Sequence, residues 1–175
     1  LAALAAYAVV ALNPKAKQGW FWIIYGVNLV PIPMLLLPMF DLYARTGLYD
    51  TRVGLLLIYM GIAIPFAFFL SRNHMLSISK EIVEAARIDG ASKARVFTQI
   101  FLPLSWPALG AAFLFQFTWI WNDLLFGLTL TVSPEVRPLM ATLSTLVGQY
   151  STLKLPVVLC ATIIASLPTA FLYLV

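Results

Sequence analysis

EAARIDG at residues 84–90, nine further residues, and IFLP at 100–103 form a polar, charged stretch between two long apolar runs. Glu84, Ala85, Ala86, Arg87, Asp89, Gly90, Ile100, Leu102 and Pro103 fall in the pattern EAA-x3-G-x9-I-x-LP, with no mismatch at a fixed position. By residue type the stretch reads as helix, turn, helix. Ser79 is placed to cap the first helix, and Glu81 in its opening turn suits the positive end of the helix dipole. Ala85 and Ala86 are strong helix formers with almost no side chain, which lets another surface approach closely. Gly90 can end the helix in a left-handed conformation that other residues adopt only at a cost. Ser92 is placed to cap the second helix, in which Val96 and Ile100 share a face, and Pro103 and Pro107 are expected to stop it.

The chain around this stretch is 62% hydrophobic and only 10% charged, with a mean hydropathy of +0.93 over 175 residues. A soluble domain needs a charged coat that this composition lacks, so the expectation is a single polytopic membrane domain. A spanning helix needs about 20 apolar residues. Leu1–Leu12 reads as the end of one span, and Gln18–Phe40, Val53–Ser71, Leu104–Leu130 and Leu155–Val175 as four more. Prolines 31, 33, 38, 65 and 168 lie inside these runs, where kinks are expected to face other helices. The chain opens and closes inside apolar runs, so it is expected to be a fragment, and Leu1–Leu12 lacks the flanks of a signal peptide.

With the 84–103 stretch inside the cell, Lys15, Lys17, Arg72, Lys80, Arg87, Lys93 and Arg95 are cytoplasmic, while Arg45, Arg52, Arg137 and Lys154 are external. That bias agrees with the positive-inside rule, and the +4 net charge forms no basic stripe for nucleic acid. Trp20, Trp22 and Trp106 suit interfacial anchoring. The short outer loop Asp41–Arg52 is expected to turn at Gly47. Leu139, Leu143, Leu146, Val147 and Tyr150 recur at helical spacing with polar residues between them, an amphipathic helix expected at the outer surface.

The pattern resembles the cytoplasmic coupling loop of ABC importer permeases. Ala6-Tyr7-Ala8, Gly47-Leu48-Tyr49-Asp50-Thr51 and Trp121-Asn122-Asp123, in that order, extend the resemblance over nearly the whole chain, to the carbohydrate, maltose-type branch. Ser79 stands where those proteins usually have proline. The resemblance implies an all-α bundle of the type I importer fold, about five spans of a six-span subunit truncated at both ends, with a coupling loop at about residues 72–103. It implies a multi-pass cell-membrane protein of bacterial or archaeal type that transports without chemistry of its own. Its partners would be a second permease, expected as a heterodimer, a cytoplasmic ATPase dimer docked on the loop, and an extracytoplasmic solute-binding protein. The cargo would be a sugar or glycerol-type solute; amino-acid, peptide and oxyanion importers share the loop signature.

Gln116, Asn122 and Asp123 are the substrate-path candidates. Asp123 is the one acid in otherwise uncharged spans, where a carboxylate costs about 2.5–3.5 kcal/mol on insertion scales. Asn122 and Asp123 either bond sugar hydroxyls or, structurally, tie helices together or set the outer end of the span; the structural role is favoured for Asp123, while Gln116 suits either. Phe113, Phe117 and Trp119 are available to stack on a sugar, although aromatics in spans usually pack. The lone His74 is read as solvated, and Cys160 as a packing or lipid-facing residue. No GxxxxGK[ST], HExxH, nucleophile elbow or cysteine pair occurs, so no catalytic residue, metal or cofactor is assigned. An ion-gradient transporter would need a relay of intramembrane ionisable groups, and only Asp123 is available.

Overall fold

The structure is a computed structural model that describes residues 1–11, 17–149 and 155–174. Leu12, Lys15, Tyr150, Lys154 and Val175, and the side chains of Lys17 and Val147, lie outside the described residues. Within them every regular element is helical: α1 (Ala2–Ala11), α2 (Lys17–Gly26), α3 (Ile32–Thr46), α4 (Arg52–Leu76), α5 (Lys80–Ile88), α6 (Lys93–Val96), α7 (Leu102–Leu104), α8 (Trp106–Trp121), α9 (Leu125–Leu130), α10 (Leu139–Gln149) and α11 (Leu155–Leu174). A 3-10 turn follows α2 at Val27–Leu29, and a π-helical segment at Phe97–Phe101 joins α6 to α7.

The chain divides into two compact units. The first comprises residues 1–29 and 61–113. Its core gathers Ala6, Tyr7, Val9, Phe21, Phe68, Met75, Val96 and Phe101 from five segments. Aromatic rings dominate it: Phe21 stacks on Tyr25 at 5.5 Å between centroids and meets Phe68 at 6.4 Å. Arg72 closes one side with its guanidinium 4.3 Å from the centre of the Phe21 ring, an arrangement that keeps a cation favourably placed beside apolar surface.

The second unit comprises residues 30–60 and 114–175. Tyr43, Leu55, Ile58, Phe126, Leu130, Ala141, Leu143 and Ala165 are buried in it. Its turn at residues 47–54 is tightly determined. Gly47 ends α3 in the left-handed region at φ 72°, and the Leu48 and Tyr49 N–H groups return to the Tyr43 carbonyl at 3.0 and 3.1 Å. The Thr51 hydroxyl accepts from the Gly54 N–H at 3.0 Å and so caps α4. Gly54 has to be glycine, because a Cβ there would stand 2.2 Å from the Leu48 carbonyl oxygen. The turn expected at Gly47 is therefore present.

Among the described residues, two helices are by themselves long and apolar enough to cross a bilayer: α4, and α11 over Pro156–Leu174. They correspond to the expected spans Val53–Ser71 and Leu155–Val175. The other two full spans differ from expectation in being divided. Gln18–Phe40 is interrupted by the 3-10 turn and by Pro31, whose extended backbone (ψ 124°) precedes α3; α3 then runs on to Thr46, into the expected outer loop. Leu104–Leu130 stops at Trp121 and resumes at Leu125, because the Asp123 carboxylate draws off the Phe126 and Gly127 N–H groups that a continuous helix would bond internally. Counting each divided pair Gln18–Leu29 with Ile32–Thr46 and Lys93–Leu104 with Trp106–Trp121 as one crossing gives up to four. Val157, Ile163, Ile164, Leu167 and Phe171 on α11 are all exposed, a surface fit for lipid or another membrane helix. Cys160 is exposed on the same helix, in keeping with the lipid-facing expectation.

Candidate functional site

The EAA stretch sits on the first unit and follows the local rules read from its sequence. Ser79 accepts from the Glu81 N–H at 3.2 Å, and α5 begins at Lys80. The helix ends in a complete Schellman motif: the Ala91 N–H reaches the Ala86 carbonyl at 2.9 Å and the Gly90 N–H the Arg87 carbonyl at 3.1 Å. Gly90 takes φ 78° to make this possible. Ser92 then accepts from the Arg95 N–H at 3.3 Å and opens α6.

One face of α5 is attached and the other is free. Val83 and Ala86 pack against the first unit's core, as do Ala91, Phe97 and Ile100 further along. Glu84, Ala85, Arg87, Ile88, Asp89 and Gly90 are exposed. Glu81, Glu84, Ala85 and Ile88 share the outward stripe at helical spacing. Ile88, which the sequence reading did not single out, is 86% exposed, an apolar tip ringed by charges. Arg87 leans the other way, its guanidinium donating to the Ala11 carbonyl at the end of α1 at 3.5 Å.

The end of the stretch departs from expectation. Pro103 does not stop the second helix, which continues through Leu104 and breaks at Ser105; the two parts, Lys93–Leu104 and Trp106–Trp121, are bent by 65°. A proline ring inside an α-helix strikes the carbonyl four residues back. The π-helical segment immediately before it widens the ladder, with the Leu102 N–H bonding to the Phe97 carbonyl five residues back, and so makes room for the ring. His74 is part-exposed and also makes a contact that its sequence did not show: its Nε2 lies 2.8 Å from the Leu104 carbonyl. A carbonyl only accepts, so Nε2 carries the hydrogen and ties the end of α4 to the break.

The substrate-path candidates lie on the second unit. Asp123 is 7% exposed and fully engaged, accepting from the Tyr59 hydroxyl at 2.9 Å and from the Gly127 N–H at 3.0 Å. Asn122 is exposed and donates its amide to the Thr118 carbonyl at 2.7 Å. Gln116 on α8 has its Oε1 buried with no hydrogen-bond donor among the described residues. Trp121 donates its indole N–H to the Ala165 carbonyl at 2.9 Å, one turn before Pro168 loosens the α11 ladder.

A further cluster at the turn after α3 was not legible as such. Asp50 adopts φ 56°, and its carboxylate accepts the Val132 and Ser133 N–H groups at 2.8 and 3.0 Å and the Ser133 hydroxyl. Those bonds, the hydroxyl's first, hold the carboxyl below the usual carboxylate range, with the Arg137 charge adding to the effect. The Arg52 guanidinium donates to the Glu135 carbonyl at 3.0 Å, so the segments 50–52 and 132–135 are stitched together. The signal was the quoted Gly47–Thr51 sequence, but its partners lie more than eighty positions away.

Comparison with known proteins gives a consistent picture. The family described as "Binding-protein-dependent transport system inner membrane component" matches residues 1–175. The chain is similar to the osmoprotective compounds uptake permease protein GgtD of Synechocystis sp., 37% identical over 85% of this chain and 50% of that protein. It is 39% identical to the alpha-glucoside transport system permease protein AglG of Rhizobium meliloti, over 73% of this chain and 35% of the relative. The trehalose transport system permease protein SugB of Mycobacterium tuberculosis is 34% identical over 76% of this chain and 48% of its own length. The chain thus spans half the length or less of each of these relatives.

Proposed function

The chain belongs to the family of inner membrane components of binding-protein-dependent transport systems, and from that premise we propose that it is the permease of an ATP-driven importer for a carbohydrate or similar polyhydroxylated solute. It forms part of the translocation path and receives the work of hydrolysis through residues 72–103. Hydrolysis itself belongs to a separate ATPase dimer; a solute-binding protein delivers the cargo, and a second permease, as a heterodimer, completes the pore.

The observation that carries this reading is the state of α5. Its inner face is packed, its end is fixed by the Schellman motif, and its outer stripe of Glu81, Glu84, Ala85 and Ile88 is open. A rigid helix with small residues and a projecting apolar side chain at its end is built to be laid into a groove of another protein. ATP can move the permease only as far as the two states of the ATPase engage this helix differently. Carbohydrate as the cargo is supported by relatives named for alpha-glucoside and trehalose transport. Gln116 is the favoured path residue, since an acceptor without a donor suits a solute hydroxyl, whereas Asp123 is already occupied within the fold. That occupancy also weighs against an ion-gradient mechanism, which would need Asp123 free to exchange protons or cations.

Ile88→Cys, introduced into the full-length permease after Cys160→Ser, tests the docking. The expected result is a disulfide or bismaleimide crosslink to a co-purifying ATPase subunit, weakened or strengthened by ATP. Absence of any ATPase from the purified complex and from the crosslinked products would overturn the reading.

A further inference from the structure

Tyr7 on α1 belongs to the core of the first unit. Its side chain is 6% exposed, and its hydroxyl donates to the Lys93 carbonyl at 2.8 Å across 86 positions of sequence. Lys93 is the first residue of α6, and its carbonyl also accepts the Phe97 N–H. The ring of Tyr7 lies 5.0 Å from that of Phe97 and 5.1 Å, edge-on, from that of Phe101. Phe97 and Phe101 are the two ends of the π-helical segment that accommodates Pro103. One side chain of α1 therefore grips the second helix of the EAA stretch by its first carbonyl and by both ends of its irregular part.

From this geometry we infer that Tyr7 is a positioning residue of the coupling machinery, the link through which displacement of the loop is carried into α1. The inference rests on the coupling function proposed above. Three properties support it. The hydrogen bond is part-buried, made by a side chain that is itself 6% exposed, where a lost partner costs more than at the open surface. The ring contacts are of the edge and tilted kind, each favourable beyond the area it buries. The partner element is short and irregular, so without an external grip it could yield to a push by changing its own ladder instead of transmitting the push. Arg87, donating to the Ala11 carbonyl at 3.5 Å, makes a second tie between the loop and α1, but a long and exposed one.

The test uses the full-length permease reconstituted with its ATPase, second permease and binding protein. Tyr7→Phe keeps the ring and removes only the hydroxyl. The expected outcome is normal assembly and basal hydrolysis, with solute moved per ATP lower by roughly fivefold, the factor that one net hydrogen bond is worth. Phe97→Leu should produce a similar loss. The double variant should lose less than the product of the two single losses, because both act through one contact.

A Tyr7→Phe transporter with unchanged solute per ATP would overturn the inference while leaving the coupling function intact. So would failure of that variant to assemble, since Tyr7 would then be a folding contact. If the wild-type permease itself shows no ATPase-dependent uptake, the fault lies with the proposed function instead.

Discussion

At Gly90 an added side chain would meet nothing within 4 Å, so substitution there is a matter of backbone conformation alone. At φ 78° an L-residue costs about 1–2 kcal/mol, and a β-branched one more. Gly90→Val should leave the protein in the membrane but re-aim the junction between α5 and α6. Uptake is expected to fall at least about tenfold while ATP hydrolysis persists, given that each ~1.4 kcal/mol of lost coupling is a factor of ten; normal uptake in a well-expressed variant would contradict this. Asp50 makes a different kind of prediction. Its carboxyl is held below its ordinary range in the folded state, so its contribution is present at neutral pH. The contribution is lost as pH falls from about 4 through the lowered native value. The protection of the Val132 and Ser133 amides, measured against the intrinsic exchange rate at each pH, should therefore fall in acid. Asp50→Asn, which tolerates the same left-handed backbone, should show low protection already at pH 7 and no further acid step. Gln116→Leu should weaken solute uptake by roughly three- to tenfold, the worth of one neutral hydrogen bond, without affecting ATPase docking; an unchanged half-saturating concentration would remove Gln116 from the path. The caps Ser79 and Ser92 and the hinge Gly90 were legible because each acts on backbone groups within three residues of itself. Tyr7, His74 and Asp50 were not, because their partners are set by tertiary folding.

Among the elements, the first helix of the EAA stretch came out as its residues dictate, and a helix, α10, runs over Leu139–Gln149 where an amphipathic one was expected. That helix is also more deeply seated than an interfacial one: Ala141 is fully buried and Leu143 nearly so. The divided spans were not legible for a physical reason. An uncharged run has no polar face, so hydropathy gives its extent but not its continuity. Continuity is decided by single groups such as Asp123 and by where a carbonyl finds room beside a proline. The outer turn allows a direct test at this scale. Gly54→Ala would place a Cβ 2.2 Å from the Leu48 oxygen, on backbone that the Thr51 and Tyr43 bonds hold in place. Overpacking of this kind costs about 1–3 kcal/mol. The melting temperature of the detergent-solubilised protein should fall by several degrees, and Gly61→Ala, where nothing lies within 4 Å, serves as the neutral control.

For the whole molecule, the sidedness read from charge becomes a labelling experiment. Ser92 and Glu135 are both exposed, the first on the EAA stretch and the second in the stitched outer segment. In a Cys160→Ser background, Ser92→Cys should react with a membrane-impermeant thiol reagent only in inside-out vesicles, and Glu135→Cys only in intact cells. The reverse pattern would invert the topology and detach the EAA stretch from any cytoplasmic ATPase. The composition made the membrane domain plain from the outset, since no other solvent suits a chain with so few charges. The surplus residue in the Phe97–Phe101 segment has a consequence at this scale as well. Each residue of an α-helix advances by about 100° around its axis, so the wide turn before Pro103 sets the compass bearing of everything upstream of it. Deleting Thr98 alone would let the ladder close to regular spacing, and the knuckle at Gly90 would swing by about a quarter of a revolution, pointing Ile88 away from any socket shaped to receive it.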